Sequence, residues 1–378
     1  MLNPFFYPYS GGTETVILEV YRRLAKKHQI TVVTSNLPGE DRRVEELFGI
    51  EVVRLKTDYI NIPKAPLPYL KMYGVKEAIR QCGADIYHIN NRFQYTLGDV
   101  NEIKKNGKLA ITIHNSLPQN IDLLTDYGGF LYDAAIGRRI IGNADLITGV
   151  STYAIRTTVP KRHLGRSHVV YNGVDYRAFV RRGRRDARVK KIRDRFGLDS
   201  STLIDVGRLV PQKGHAYLIN AVRHVSERLD VKLLILGDGP QYQYLKNLSE
   251  RVGLLDSVLF AGKVGHDSAP YYYNASDLFS LQSTYEPASV ALLEALSSEI
   301  FCAVARTGGM PEMMGKCGLY TMPKNPHSTY MKIMEALDMD RREKRRLSAE
   351  GRRMMMAVHD WGKISKQYET LFCSVCRD

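Results

Sequence analysis

Two glutamates with no basic residue between them are the first candidates for chemistry in this sequence. Glu286 and Glu294 lie in STYEPASVALLEALSSE (283–299), directly after the apolar run ASDLFSLQ, which predicts a buried strand. Helix-forming residues follow Pro287, so Glu294 is predicted two helical turns further on, about 10.5 Å along the axis. Carboxylates accept paired hydrogen bonds from vicinal diols. The spacing indicates a polyhydroxylated ligand, and exposed glutamates on a helix surface are the alternative.

Two basic residues mark a second strand-to-helix turn. In VGRLVPQKGHAYLINAV (206–222), Arg208 follows a predicted strand, and Lys213 precedes a glycine that opens a predicted helix. A guanidinium and an ammonium beside a helix N-terminus together favour an anion such as a diphosphate. Two solvated basic residues in a loop are the alternative.

Glycine-rich turns occur at two further strand ends. YSGGTE (9–14), with Gly11 and Gly12, would let backbone N–H groups approach an anion, although such turns are also common as plain structure. LILGDGPQ (234–241) has Gly-x-Gly but no third glycine, so the dinucleotide fingerprint fails. A nicotinamide-dependent dehydrogenase is therefore a minor alternative.

The elements that position these residues alternate along the chain. Short β-branched runs at 30–35, 50–55, 84–89, 108–114 and 144–151 predict strands, and an amphipathic helix is predicted between Gly12 and the first of them. A second alternation of the same kind begins at 202–209. The pattern predicts an α/β protein with two doubly wound, mainly parallel sheets, whose ligands bind at the carboxyl ends of the strands in a cleft between two domains.

The basic stretch RRGRRDARVKKIRDRFGLDSS (181–201) is interpreted as the domain junction, with no core residue before Phe196. Met1 and Leu2 directly precede Asn3-Pro4. The first strand is therefore expected to be either cut short, so that about five upstream apolar residues would raise stability, or a short edge-like strand.

Composition limits the class of protein. A chain of 378 residues with 44% hydrophobic and 25% charged residues is typical of a globular protein with two domains. No run approaches the roughly 18 apolar residues of a membrane span, and the first residues do not resemble a signal peptide. Five cysteines, an odd number, indicate a reducing cytoplasm.

The net charge of +14 is unevenly distributed. About six net positive charges lie in residues 1–170 and about six more in 171–200. The segment YINIPKAPLPYLKMYGVKEAIRQ (59–81) adds apolar residues and lysines, and predicts docking of the N-terminal domain on an anionic membrane face. An ordinary loop and helix on a solvated basic surface is the alternative. The arginine-rich stretch lacks interleaved aromatic residues, so no nucleic-acid partner is expected.

Several motifs in order resemble the retaining glycosyltransferases of family 4. They are YPYSGGTE, YNGVD, GRLVPQKG, LGDGP, YEP followed by LLEAL, and GGMPE, and the resemblance extends to the closing segment HDWGKISKQYETLF. It implies the GT-B fold, two facing Rossmann-like domains with a cleft between them. Residues 1–174, with a crossover helix at about 360–378, would bind the acceptor, and residues 175–359 would bind the nucleotide sugar.

The same resemblance implies a role for individual residues. Arg208, beside Gly207, and Lys213 would hold the donor diphosphate, Glu286 the hydroxyls of the transferred hexose, and Glu294 the ribose. Gly11 and Gly12 would lie against the donor phosphates and sugar, and His114 would face the sugar. The family usually has an aromatic residue and a glycine where this chain has Ala288 and Ser289, and a glycine before Pro-Val where it has SEIFCAV (298–304). Ser289 is predicted to cap the following helix.

The expected activity is retaining transfer of a hexose from a nucleotide-diphosphate sugar to a glycan or glycolipid acceptor. No cofactor is expected, since the nucleotide sugar is a substrate. A metal site is not expected either, because DMD (338–340) lies in a predicted helix and CSVC (373–376) has no second metal-binding pair. A non-catalytic nucleotide-sugar-binding protein and another GT-B enzyme, such as an epimerase, are the alternatives.

Overall fold

The computed structural model describes residues 1–9, 11–36, 43–60, 69–93, 95–115 and 123–377. The chain divides into two compact units. The N-terminal unit comprises Met1–Asn172 and Trp361–Asp378, and the C-terminal unit comprises Gly173–Asp360. The assignment of these parts to acceptor and donor binding stays a prediction. None of the helices within the described ranges is long and apolar enough to cross a membrane.

The N-terminal unit is built around parallel strands. β1, β3 and β2 pair in that order, and β6, β7, β8 and β9 form a parallel sheet. Leu2 makes a parallel bridge to Val33 of β1 and another to Ile89 of β6, so one short piece of extended chain connects the two groups. The strands are β1 (Thr31–Ser35), β2 (Arg43–Leu47), β3 (Ile50–Leu55), β4 (Thr57–Ile60), β5 (Tyr69–Met72), β6 (Ile86–Asn90), β7 (Lys108–Ile113), β8 (Leu146–Gly149) and β9 (Ser167–Val169).

Helices cover this unit, and a π-helical turn at Asp133–Gly137 joins two of them, α4 and α5. The last helix of the chain, α15, packs against α1 and against β7 and β8. The helices are α1 (Gly12–Leu24), α2 (Val75–Cys82), α3 (Leu97–Asn106), α4 (Leu123–Tyr132), α5 (Arg138–Asn143), α6 (Thr152–Thr158) and α15 (Trp361–Arg377).

The predicted segment 59–81 is more regular than a loop and a helix. Its described residues contribute to β4, β5 and α2, and β4 and β5 pair as an antiparallel ribbon. Residues 61–68 lie outside the described residues. The hairpin was missed because its three prolines and few β-branched residues predict a loop.

The C-terminal unit is a doubly wound parallel sheet with the strand order β12-β11-β10-β13-β14-β15. Numbered from β10, this order is 3-2-1-4-5-6. Successive strands are added towards one edge up to the third and towards the other edge from the fourth, and ligands bind at this switch point between the first and fourth strands. The strands are β10 (Ser201–Val206), β11 (Val231–Leu236), β12 (Val258–Gly262), β13 (Leu278–Leu281), β14 (Phe301–Ala305) and β15 (Gly318–Thr321).

Alternate residues of these strands pack on opposite faces of the sheet. Ile204 and Leu234 join one hydrophobic cluster, and Leu203 and Leu233 join the other. Helices therefore cover both faces, as the nearly continuous apolar strands require. They are α7 (Ala187–Phe196), α8 (His215–Ser226), α9 (Tyr242–Arg251), α10 (Ala269–Ala275), α11 (Val290–Ser297), α12 (Met310–Met314), α13 (Pro326–Asp338) and α14 (Arg341–Val358). The predicted α/β class with parallel sheets is confirmed.

One prediction about the arginine-rich stretch was wrong. Asp186 caps α7 by accepting hydrogen bonds from the backbone of Arg188 and Val189, and the side chain of Val189 is fully buried. Core packing therefore starts before Phe196, and the division between the units lies upstream, at 172/173. A single buried valine among basic residues is enough to seat a short helix but is too sparse to produce a visible periodicity.

Candidate active site

The turn between β10 and α8 carries the two predicted phosphate-binding cations. Gly207 and Arg208 follow the strand, a single 3₁₀ turn spans Pro211–Lys213, and Gly214 leads into α8. Arg208 is exposed, and Lys213 is half-buried with its side chain above Gly207. β10 is the strand at the topological switch point, so the fold places this turn where an α/β sheet binds its ligands.

The Gly-x-Gly of LGDGP supports this turn through backbone packing. A Cβ atom on Gly237 would lie 1.9 Å from the carbonyl oxygen of Gly207, and one on Gly239 would lie 2.7 Å from the carbonyl oxygen of Leu209. The backbone of Leu209 also donates a hydrogen bond to Asp238. The two glycines are needed because two loop backbones touch here, and the dinucleotide interpretation is not required.

Glu286 lies in the turn that follows β13, the other strand at the switch point, and it is buried. Its Oε2 atom is 2.5 Å from Nζ of Lys213 and accepts a hydrogen bond of 3.1 Å from the hydroxyl of Ser283. The carboxylate therefore has a cationic partner, although no lysine or arginine stands near it in the sequence. The two strand-end turns, predicted separately, meet in this ion pair.

The GGMPE motif holds Glu286 from the other side. The backbone N–H of Gly309 donates a 3.0 Å hydrogen bond to the carbonyl oxygen of Glu286. Gly308 has φ of 55°, in the left-handed region, and a Cβ atom there would lie 2.0 Å from the same oxygen. Only glycine fits this position without moving the Glu286 backbone.

Replacing Gly308 with alanine is expected to lower turnover by at least tenfold, because the added methyl group must push the Glu286 carbonyl away. Gly183→Ala is the matched control, since the nearest atom to a Cβ there is 4.0 Å away. Donor hydrolysis and thermal melting measured on both variants check the prediction. A folded Gly308→Ala protein with normal turnover would show that the motif does not position Glu286.

The prediction that a helix beginning after Pro287 places Glu294 two helical turns further on was wrong. α11 begins at Val290, and the Ser289 hydroxyl caps it by accepting a 3.2 Å hydrogen bond from the backbone of Leu292. Glu286 therefore lies in the turn before the helix, and the estimate of two helical turns does not apply. The predicted capping role of Ser289 is confirmed, while Ala288 beside it is partly buried against the core.

Glu294, on α11, is buried and has contacts of its own. The hydroxyl of Tyr273 donates a 2.8 Å hydrogen bond to its Oε2 atom, and Nδ1 of His266 lies 3.8 Å from its Oε1 atom. Burial raises the pKa of Glu294 to about 7, although the Tyr273 hydrogen bond acts in the opposite direction. Sequence reasoning missed Tyr273 and His266, which lie in the predicted helix region before β13 and carry no recognisable motif.

At 298–304, where the sequence departs from the family pattern, a glutamate occupies a left-handed backbone position. Glu299 has φ of 56°, the left-handed conformation that glycine adopts most readily. Its carboxylate lies 3.6 Å from Arg352 and 3.9 Å from Arg181. These contacts help offset a backbone cost of roughly 1 kcal/mol.

The remaining predicted residues lie in the N-terminal unit. Gly11 is the N-cap of α1 and Gly12 its exposed first residue, without a side-chain cap on the helix. The Glu14 carboxylate already lies beside Gly11, with Oε2 2.3 Å from where a Cβ on Gly11 would stand. An anion is the group that such a helix terminus favours. The donor contacts of Gly11 and Gly12 stay a prediction.

His114, just after β7, is buried among asparagines from the end of β6. Its Nε2 atom is 3.0 Å from Oδ1 of Asn90, and its backbone N–H donates to Oδ1 of Asn91. Burial lowers the pKa of His114 to about 3, so the ring is neutral. The sequence did not single out either asparagine.

Comparison with known proteins identifies the class. The glycosyltransferase family 4 model matches residues 10–177, and the model for glycosyl transferases group 1 matches residues 189–354. The crystal structure of Anabaena Alr3699/HepE in complex with UDP-glucose superimposes with a TM-score of 0.76 at 18% identity, over 99% of this chain and 98% of that one. The fold is that of the GT-B glycosyltransferases. The chain belongs to glycosyltransferase family 4.

Curated relatives carry related names. The chain is 25% identical to the N-acetyl-alpha-D-glucosaminyl L-malate synthase of Bacillus anthracis, over 98% of this chain and 96% of the relative. It is 28% identical to the GDP-mannose-dependent alpha-(1-6)-phosphatidylinositol monomannoside mannosyltransferase of Mycobacterium tuberculosis, over 60% of this chain and 61% of the relative. The recognition from sequence motifs is confirmed.

Proposed function

We propose that this protein is a retaining hexosyltransferase that uses a nucleotide-diphosphate sugar and needs no metal ion. The observation that carries the proposal is the Lys213–Glu286 ion pair, which joins the turns after β10 and β13. A cation suited to the diphosphate and a carboxylate suited to the sugar hydroxyls lie side by side at the switch point. The identity of the base and of the hexose is left open.

Donor binding changes the partners of these groups. The diphosphate competes with Glu286 for Lys213, and Arg208 supplies a second cation that neutralises the leaving group without a metal. Glu286, once released from Lys213, accepts hydrogen bonds from the hexose hydroxyls. Glu294 accepts hydrogen bonds from the ribose hydroxyls. The acceptor hydroxyl attacks from the face on which the diphosphate leaves, as the family resemblance implies.

The acceptor is proposed to be a polar compound or a glycolipid. Both classes have support among the relatives, since one is named for L-malate and another for phosphatidylinositol monomannoside. A cytoplasmic location is part of the same proposal, because cytoplasm supplies nucleotide sugars and a reducing medium for the five free cysteines.

A thermal-shift screen of nucleotide diphosphates and their sugars tests the proposal. We expect one nucleotide diphosphate and its sugar to raise the melting temperature, and the sugar to be hydrolysed slowly without added metal. Stabilisation without hydrolysis or transfer would favour the alternative of a non-catalytic binding protein. Release of an epimerised sugar would favour an epimerase.

Contact with an anionic membrane is proposed for the N-terminal unit. On α4, Tyr127, Phe130 and Leu131 are 62%, 51% and 49% exposed, and the same run of helix continues to the exposed Arg138 and Arg139. Aromatic and aliphatic side chains followed by arginines suit the interface of an acidic bilayer. The uneven charge of the chain supports the same partner.

We expect the protein to co-sediment with vesicles containing acidic lipid at low salt and to be released as salt rises. The double variant Phe130→Ser/Leu131→Ser should bind several-fold more weakly, while Tyr244→Ser, which removes an exposed tyrosine of the C-terminal unit, should bind normally. Equal recovery in the supernatant with neutral and acidic vesicles would contradict membrane contact.

A further inference from the structure

A fully buried histidine connects three parts of the donor-side turn. His215 is the first residue of α8, and its side chain is 0% exposed. Its Nδ1 atom lies 2.7 Å from Oδ2 of Asp205, on β10, and its Nε2 atom lies 3.0 Å from the backbone carbonyl oxygen of Arg208. One imidazole therefore links the strand, the turn and the helix that together carry Arg208 and Lys213.

Both partners of this ring are hydrogen-bond acceptors. A carbonyl oxygen has no hydrogen to give, and a carboxylate has none when it is ionised, so beside an ionised Asp205 both ring nitrogens donate. A ring that donates from both nitrogens is an imidazolium. Burial works against that charge, but the charge of Asp205 and the hydrogen bonds to Asp205 and Arg208 outweigh it, so the pKa of His215 is raised.

Simple packing does not explain a cation at this place. The N-terminus of a helix carries a partial positive charge, so a buried cation there is unfavourable unless a carboxylate accompanies it. Lys213 adds a second positive charge that opposes protonation of the ring. An apolar residue would fill the volume at less electrostatic cost. What the imidazolium provides instead is two N–H donors at a fixed separation.

The group that His215 holds in place is the peptide that carries the carbonyl oxygen of Arg208. Its carbonyl accepts from His215 and also from the backbone N–H of Val210, while the neighbouring Gly207 and Leu209 donate to the β11 side of the unit. A peptide held this way fixes the direction of the Arg208 Cα–Cβ bond. The same contact holds the helix start that follows Lys213.

We propose that His215 is a positioning residue of the donor site, whose imidazolium, paired with Asp205, aims Arg208 and Lys213 at the donor diphosphate. The inference rests on the proposed function, because it assumes that a diphosphate binds this turn. It adds two residues, His215 and Asp205, that act through Arg208 and touch no substrate.

The test compares a nucleoside diphosphate with its own nucleoside. Uridine, guanosine and adenosine diphosphates are titrated by calorimetry into the full-length wild-type protein, and the tightest is used with the matching nucleoside. His215→Phe should weaken the diphosphate at least tenfold and leave the nucleoside within about twofold, because only the phosphate-binding side chains are misaligned. Equal affinity of His215→Phe and wild type for the diphosphate would overturn the inference, as would an equal loss for both ligands.

A second variant keeps the test decisive if His215→Phe does not fold. Asp205→Asn preserves the shape of the side chain but removes the charge that stabilises the imidazolium. The pKa of His215 should therefore be lower in this variant. As the pH rises, the variant should lose affinity for the diphosphate at a lower pH than wild type does. The charged groups facing the ring in this comparison are Asp205 from β10 and Lys213 from the 3₁₀ turn, beside the Arg208 carbonyl. Coincident pH profiles for the two proteins would refute the role of the imidazolium.

These results are separable from failure of the proposed function. If wild type binds none of the three diphosphates, the donor proposal itself fails. If wild type binds one and both variants bind it as well, only the positioning role fails. In a nitrogen-detected NMR spectrum, a doubly protonated His215 ring at neutral pH supports the inference, and a neutral ring contradicts it.

Discussion

Replacing Glu286 with glutamine is expected to lower turnover by about 10-fold to 100-fold. This is the rate equivalent of roughly 1.5–3 kcal/mol for hydrogen bonds to a charged group. The effect is expected on turnover because the transferred sugar gains positive charge in the transition state, and contacts from a carboxylate strengthen there. Donor-hydrolysis kinetics measure it.

The affinity of this variant for the bare nucleotide diphosphate should be unchanged or slightly higher. Lys213 is paired with Glu286 without ligand, so removing the carboxylate charge leaves the lysine readier for the phosphate. Glu335→Gln, an exposed position on α13, is the matched control and should behave as wild type. A loss of nucleotide affinity as large as the loss of turnover would mean that Glu286 does not act on the sugar.

Replacing Glu294 with glutamine is expected to weaken bare nucleotide and complete donor alike, by roughly 1–3 kcal/mol. The ribose contacts are the same before and during the reaction, so turnover at saturating donor should change little. Calorimetry with the nucleotide diphosphate, beside the same kinetics, separates the two glutamates. If both variants lose nucleotide affinity equally, or neither loses any, the pair is not the donor clamp.

The raised pKa of Glu294 adds a dependence on pH. With a pKa of about 7, the carboxylate loses its charge as the pH falls through neutrality, so wild-type nucleotide affinity should fall between about pH 8 and 6. Glu294→Gln should lack this component. A wild-type profile that is flat over this range would contradict the ribose role.

The stability of the folded protein should depend on pH in the opposite direction to the nucleotide affinity, through the same Glu294 carboxyl group. The pKa rises from an ordinary 4.5 to about 7 on folding, so the folded state favours the protonated form. Glu294 therefore contributes stability below about pH 4.5 that is lost as the pH rises towards 7. The melting temperature of Glu294→Gln relative to wild type should rise over this interval.

Much of the architecture could be predicted from local pattern. β-branched runs at 108–114 and 144–151 contain β7 and β8, because buried parallel strands are short and nearly continuously apolar. The hairpin of β4 and β5 and the short edge strand β15 could not, since pairing with a neighbour rather than composition makes them strands. Likewise, Val189 shows no periodicity, and only its packing reveals that α7 belongs to the core.

By itself, the sequence determined the α/β class, the family and the two turns that carry Arg208, Lys213 and Glu286. These follow from the order and spacing of motifs that can be recognised along the chain. Only the tertiary structure decided which groups meet. The Lys213–Glu286 pair spans 73 residues, and the His215–Asp205 pair joins a helix start to a strand. Gly308 and Gly237 are fixed by backbones far away in the chain, because close approach is a property of packed loops.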